Sequence, residues 1–180
     1  MTVDWTALYA QASTQEGHFT TRQAAAAGYS RPLLDHHVRS GRFVRVRRGI
    51  YRLRDFPLGE HEDDVVAWLW SGQQGVLSHD TALAAHGLSD ALPDRIHLTV
   101  PDAWRTRRLK VPPIVVLHHG DVPMDARSWA GPVPVTTPLR TVVDCAQDHV
   151  SAELVAQAVG EGLRRGLFTP EALQAAGLDP

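Results

Sequence analysis

Apolar residues recur along this chain in two periods, and the changes of period mark its elements. Over Val3–Glu16, the residues Trp5, Leu8, Tyr9 and Ala12 fall at helical spacing, which predicts a helix that Gly17 ends. Thr20 is a good N-cap for a short helix over 21–27, stopped by Gly28. Ser30 caps a third helix, which tolerates Pro32 in its first turn and ends at Gly41. The period then drops to two. The run FVRVRRGIYRL (43–53) alternates Val44, Val46, Ile50 and Leu53 with arginines and breaks at Arg48-Gly49, the pattern of a two-stranded hairpin with a basic tip. Helix, helix, turn, helix, hairpin is the order of a winged helix-turn-helix, and Ala27-Gly28-Tyr29 has the length and the glycine of its turn.

Asp55-Phe56-Pro57-Leu58-Gly59 reads as a boundary. Beyond it, residues 60–70 form an amphipathic helix with Val65, Val66, Leu69 and Trp70 inward, and Ser78 caps another over 80–86. IHLTV (96–100) and IVVLHHG (114–120) read as strands, with a short third over 133–135. Thr137 caps a helix over 138–146, residues 151–165 form one with Leu154, Val155, Ala158, Val159 and Leu163 inward, and Thr169 caps the last. The expected fold class is α+β: an N-terminal winged helix-turn-helix at 1–55, then a mixed α+β domain with a small sheet at 60–180.

Charge sharpens this division. Residues 1–55 hold nine arginines against four acids, net +5, whereas residues 56–180 hold nine basic groups against sixteen acids, net −7. A basic lobe on an acidic body suggests that one end meets a polyanion and the other something else. Of the 18 basic residues only Lys110 is lysine, a bias that suits phosphate and guanine contacts and equally suits a GC-rich genome.

In the third helix Leu34, His37 and Val38 face inward, leaving Arg31, Asp35, His36 and Arg39 on one polar face. Such a face of long side chains is what a helix in the major groove needs, because only they reach base edges. Arg31 or Arg39 is placed to pair bidentately with guanine; Asp35 either accepts from cytosine or fixes an arginine. Thr20 and Thr21, with Arg22, offer a helix N-terminus to a phosphate, and Ser30 opens the recognition helix. Arg45, Arg47 and Arg48 lie on the hairpin, with Arg45 and Arg47 expected on one strand face, as a wing resting on phosphates or in the minor groove. Arg105, Arg107, Arg108 and Lys110 beside Trp104 form a second basic cluster, which either extends the DNA footprint, binds another acidic surface or is merely solvated.

Chemistry beyond binding finds little support. Cys145 is the only cysteine, which excludes an intrachain disulfide and a cysteine-based zinc site. The ten histidines include the adjacent pairs His36-His37 and His118-His119, which cannot both point into one site from a regular element, and His79 and His86 have no regularly placed carboxylate between them. They read as structural or surface residues. Ser78-His79-Asp80 has the residue types of a hydrolytic triad, but triad members come from separate segments and no G-x-S-x-G surrounds Ser78, so it reads as a cap. Arg140 and Asp144, four apart, read as a helical ion pair, with a catalytic Asp144 as the alternative. Gly72-Gln73-Gln74-Gly75 lacks the lysine of a phosphate loop. No catalytic residue, metal or cofactor is expected, and the chain is not expected to be an enzyme. With no membrane-length apolar run and no leader-like N-terminus, a cytoplasmic location is expected.

The run FTTRQAAAAGYSRPLLDHHVRSGRFVRVRRGIYRL (19–53) closely resembles the N-terminal domain of the AbiEi-type antitoxins of type IV toxin–antitoxin systems. The likeness lies in Thr20-x-x-Gln23-Ala24, Gly28 with Ser30, Gly41, and above all Arg47-Arg48-Gly49-Ile50-Tyr51. It continues through Leu77-Ser78-His79-x-Thr81-Ala82-Leu83 and His86-Gly87-Leu88, and resumes at Val135-Thr136-Thr137-Pro138-x-Arg140-Thr141-Val142-x-Asp144. The resemblance implies a winged-helix module followed by an antitoxin domain, and a repressor of its own operon acting on double-stranded DNA, often at inverted repeats that a dimer would read. It also implies a nucleotidyltransferase-like toxin, countered without a stable complex. Some relatives carry a nuclease after the Thr–Pro–Arg–Asp segment; here residues 145–180 follow Asp144, too few for it, so that activity is not expected. Two other readings stand beside the regulator: a protein-interaction module that neutralises a toxin without DNA, and a vestigial nuclease.

Overall fold

The computed structural model describes residues 2–178 and is α+β, with the chain dividing into two compact units at Gln73/Gln74. The first unit contains α1 (Trp5–Ser13), β1 (His18–Thr20), α2 (Thr21–Ala26), α3 (Arg31–Arg39), β2 (Phe43–Arg47), β3 (Ile50–Leu53) and α4 (Glu62–Trp70). Its three strands form one antiparallel sheet in the order β1-β3-β2. This is a winged helix-turn-helix, with β2 and β3 as the wing.

Local chemistry sets these elements. Asp4 caps α1 by accepting from the Ala7 N–H at 2.9 Å. Thr20 and Gln23 close a reciprocal capping box at the start of α2: the Gln23 N–H donates to Thr20 Oγ1 at 3.2 Å and the Thr20 N–H to Gln23 Oε1 at 2.7 Å. Gly28, at φ 84°, makes the turn into α3. The core is aromatic and centred on Phe43, edge-on to Phe19 at 5.0 Å and 5.9 Å from Tyr29, with Leu8 and Leu34 fully buried around it. The first residue of the wing thus locks into the helices, which sets where the wing leaves the body.

The sequence expected a boundary at 55–59, with the helix after it in the second part. That helix, α4, lies instead in the first unit, because two ties hold it there. Arg52 Nε donates to Glu62 Oε1 at 2.9 Å, and the His61 N–H donates to the Glu16 carboxylate at 3.1 Å.

The second unit holds β4 (Val76–Leu77), α5 (His79–His86), β5 (Ile96–Val100), β6 (Val115–His119), β7 (Arg127–Ala130), β8 (Val133–Thr136), α6 (Pro138–Gln147), α7 (Ala152–Arg164) and α8 (Pro170–Ala175). Its mixed sheet runs β6-β5-β4-β8-β7, with β5·β6 and β4·β8 parallel and the other pairs antiparallel. The helices pack through Leu83, Leu88, Val142, Cys145, Ala158, Phe168 and Leu173. Gly162 lets Phe168 close on α7, since a Cβ there would lie 2.2 Å from the Phe168 ring. Among the described residues no helix is long and apolar enough to cross a membrane.

Candidate nucleic-acid interface

The first unit presents a helix face and a wing of the kind that duplex recognition uses. On α3, Leu34 is buried and Leu33, His37 and Val38 are half-buried, while Arg31, Asp35, His36 and Arg39 are exposed along one side. Ser30 caps this helix, its hydroxyl accepting from the Leu33 N–H at 3.4 Å. Arg22 on α2 is exposed as well. Among the described residues the side chains of Arg22, Arg31, Arg39, Arg45, Arg47 and Arg48 make no hydrogen bond, ion pair or ring contact within the protein. Five of these arginines lie on α2, α3 and β2, and Arg48 lies in the turn at the wing tip.

Other sequence candidates are engaged elsewhere. The Thr20 hydroxyl is taken up by the capping box, and Thr21 donates through its N–H to the Gly49 carbonyl at 2.9 Å and through its hydroxyl at 3.4 Å. Thr20 thus closes the start of α2 and Thr21 fastens α2 to the wing tip, so neither hydroxyl is left for a phosphate. Asp35 pairs with no arginine among the described residues. Arg42 lies over the Trp5 ring at 4.3 Å, and Arg54 donates to the Gly41 carbonyl.

The wing differs from the simple alternation read in the sequence. Arg45 pairs with Tyr51 and Arg47 with Ile50, so Val46 is an extra residue in a β-bulge. Opposite partners share a face and Ile50 and Tyr51 face opposite ways, so Arg45 and Arg47 are on opposite faces, not on one. Val44 and Val46 are exposed (38% and 41%), giving the wing an apolar edge between its arginines.

Arg52, on β3, stands apart from these arginines. It is buried, and its guanidinium donates to the carbonyls of Leu53, Arg54, Phe56 and Pro57 as well as to Glu62. It fixes the segment leaving the wing and takes no part in the basic surface.

The second unit contains a separate polar pocket of about 350 Å³, lined by His79, His118, Arg105, Arg140, Asp144 and Asp148 among others. His79 opens α5, His97 lies on β5 and His118 on β6. Parallel pairing sets Thr99 opposite His118 and His97 opposite Val116, which brings His97 and His118 to one face two positions apart. His119 alternates away, as its adjacency to His118 requires. The His79 and His118 rings stack at 3.6 Å, His97 Nδ1 lies 3.1 Å from His118 Nε2, and Asp148 Oδ2 lies 3.0 Å from both His79 Nε2 and His118 Nδ1. Burial holds all three imidazoles below their ordinary pKa, and for His118 the neighbouring His79 adds to it. Ser78 begins α5 without capping it through its side chain. Its hydroxyl instead receives the Thr99 hydroxyl at 2.8 Å and lies 2.9 Å from His79 Nδ1.

The ion pair expected between Arg140 and Asp144 is present at 2.6 Å, leaving the buried Asp144 Oδ2 with no partner. Burial raises the Asp144 carboxyl above its ordinary range. In the second basic cluster Arg105 is bound to Asp102 and the His119 carbonyl, and Arg107 stacks on Trp104 at 4.4 Å, while Arg108 and Lys110 are exposed.

Residues 8–54 match the model of a protein family described as "Transcriptional regulator, AbiEi antitoxin". The matched stretch contains α1 from Leu8 onward, α2, α3 and the whole wing. The crystal structure of the RV2827C protein from Mycobacterium tuberculosis is similar in fold, with a TM-score of 0.58 at 18% sequence identity over 94% of this chain and 69% of that one. No curated protein matches in sequence.

Proposed function

We propose that this chain is a sequence-specific DNA-binding transcriptional regulator, and that it represses its own operon in the manner of an antitoxin. The observation that carries this reading is the set of six unpartnered arginines on α2, α3 and the wing, within the stretch that matches a regulator family. α3 enters the major groove with Arg31 and Arg39 at base edges, each bidentate guanine contact being worth about 1–3 kcal/mol of discrimination. Asp35 and His36 complete that face. The wing places Arg45 and Arg47 on opposite sides of its strand, so one guanidinium meets each flank of the groove it enters, and Arg48 at the tip follows the backbone. Two copies on an inverted repeat would give the half-site spacing that such modules read. A cognate toxin is countered functionally, without a stable complex.

Footprinting on the DNA upstream of the gene tests this reading. Protection of a discrete inverted repeat supports it, together with lower reporter expression when the protein is present. Uniform weak protection of any duplex, with no change in the reporter, overturns it.

A further inference from the structure

We propose that His79, His97 and His118 bind one divalent transition-metal ion of the zinc class in the second unit, with the Asp148 carboxylate orienting His118 from its other nitrogen. One ring nitrogen from each histidine lies within 4.8 Å of the others. Zinc bonds to imidazole of about 2.0–2.1 Å in a tetrahedron set neighbouring donor atoms roughly 3.3–3.4 Å apart. The separation of 3.1 Å between His97 Nδ1 and His118 Nε2 is within a few tenths of an ångström of that spacing, while Asp148 Oδ2, 3.0 Å from the other His118 nitrogen, Nδ1, stands behind the ligand as its orienting carboxylate. The His79 nitrogen lies within 4.8 Å of the other two, so the His79 ring turns toward them on binding, and water completes the tetrahedron.

The donor chemistry agrees. Three imidazole nitrogens suit zinc, nickel and copper(II) rather than magnesium or calcium.

The surroundings are those of an oriented ligand set. The Thr99 hydroxyl holds Ser78, and Ser78 holds the far nitrogen of His79. Asp80 Oδ2 stands 4.0 Å from His97 Nε2. Such outer hydroxyls and carboxylates fix ring orientation and strengthen the ligands. His79 also has φ 49°, a left-handed conformation that a non-glycine residue adopts only under constraint, and it aims the ring into the cluster. The polar pocket lined by His79 and His118 supplies the entry path.

The test uses the full chain without an affinity tag, stripped with chelator, dialysed and titrated with zinc chloride, with bound metal counted by elemental analysis. One zinc per chain is expected, with a higher unfolding midpoint on loading. Cobalt(II) in its place is expected to give the intense visible bands of a tetrahedral nitrogen–oxygen site. His97→Ala and His118→Ala should lose the metal, Asp148→Asn should weaken binding by roughly 10–100-fold, and the exposed His149→Asn should bind as the parent does. Failure of the parent chain to retain zinc, or retention by the His97 and His118 variants, overturns the proposal. Should those variants not fold, the parent's cobalt spectrum decides alone, and its lack of tetrahedral bands overturns the proposal equally.

Discussion

The backbone N–H of Thr21 donates to the carbonyl of Gly49 at 2.9 Å, which joins the start of α2 to the tip of the wing. Gly49 makes this bond from φ 80°, and the space around it is open, a Cβ meeting nothing nearer than Thr21 Oγ1 at 3.6 Å. The glycine is therefore required by conformation and not by room. Gly49→Ala is expected to lower stability by about 1–2 kcal/mol in thermal unfolding. Gly49→Asn, which tolerates the left-handed region, should recover much of that loss. Equal losses for both would mean that something other than the backbone angle selects glycine.

Arg52 predicts a different kind of failure. Replacing it strands four carbonyl acceptors and the Glu62 carboxylate, so Arg52→Ala should destabilise the chain by about 3 kcal/mol or more in denaturant unfolding. Arg52→Lys should rescue little, because an ammonium cannot span acceptors placed for a planar fork. A lysine variant as stable as the parent would contradict the role assigned to the guanidinium.

The contrast between Arg52 and Arg39 shows which parts of the molecule were legible in the sequence. The helices and the wing were, since Thr20, Ser30 and Gly41 act locally and the change from helical to alternating period is a local signal. The bulge at Val46 was not, because register is settled by pairing across the hairpin. Burial of Arg52 depends on carbonyls after the wing and on Glu62 in α4, and the same long-range tie holds α4 in the first unit. The histidine cluster was hidden more completely. His79, His97, His118 and Asp148 come from four segments, and only the parallel pairing of β5 with β6 turns HLTV and VLHH into one surface.

Acid sensitivity follows from His18, which is buried at the start of β1 and held below its ordinary pKa of 6.5 chiefly by that burial, with Arg52 adding to the depression and Glu62 opposing it. In the unfolded chain the same group titrates near 6.5. Below that pH the unfolded state takes up a proton that the folded state refuses. Stability should thus be full above pH 6.5 and decline as pH falls toward the folded value, by up to about 1.4 kcal/mol per pH unit. Unfolding midpoints between pH 8 and pH 5, with chelator present, check this. His18→Gln should show a shallower decline, and an unchanged slope would remove His18 as its source.

Fluorescence-anisotropy titration of the DNA upstream of the gene, against scrambled duplex at two salt concentrations, tests the central claim most directly when Arg39→Ala and Arg47→Ala accompany the parent chain. The parent should bind the upstream DNA more tightly, with log affinity falling against log salt by about 0.9 per phosphate contacted. Arg47→Ala should weaken binding to both duplexes and reduce that slope by about one contact, while Arg39→Ala should chiefly erase the preference between them. Equal binding of all three proteins to both duplexes would contradict an interface formed by α3 and the wing.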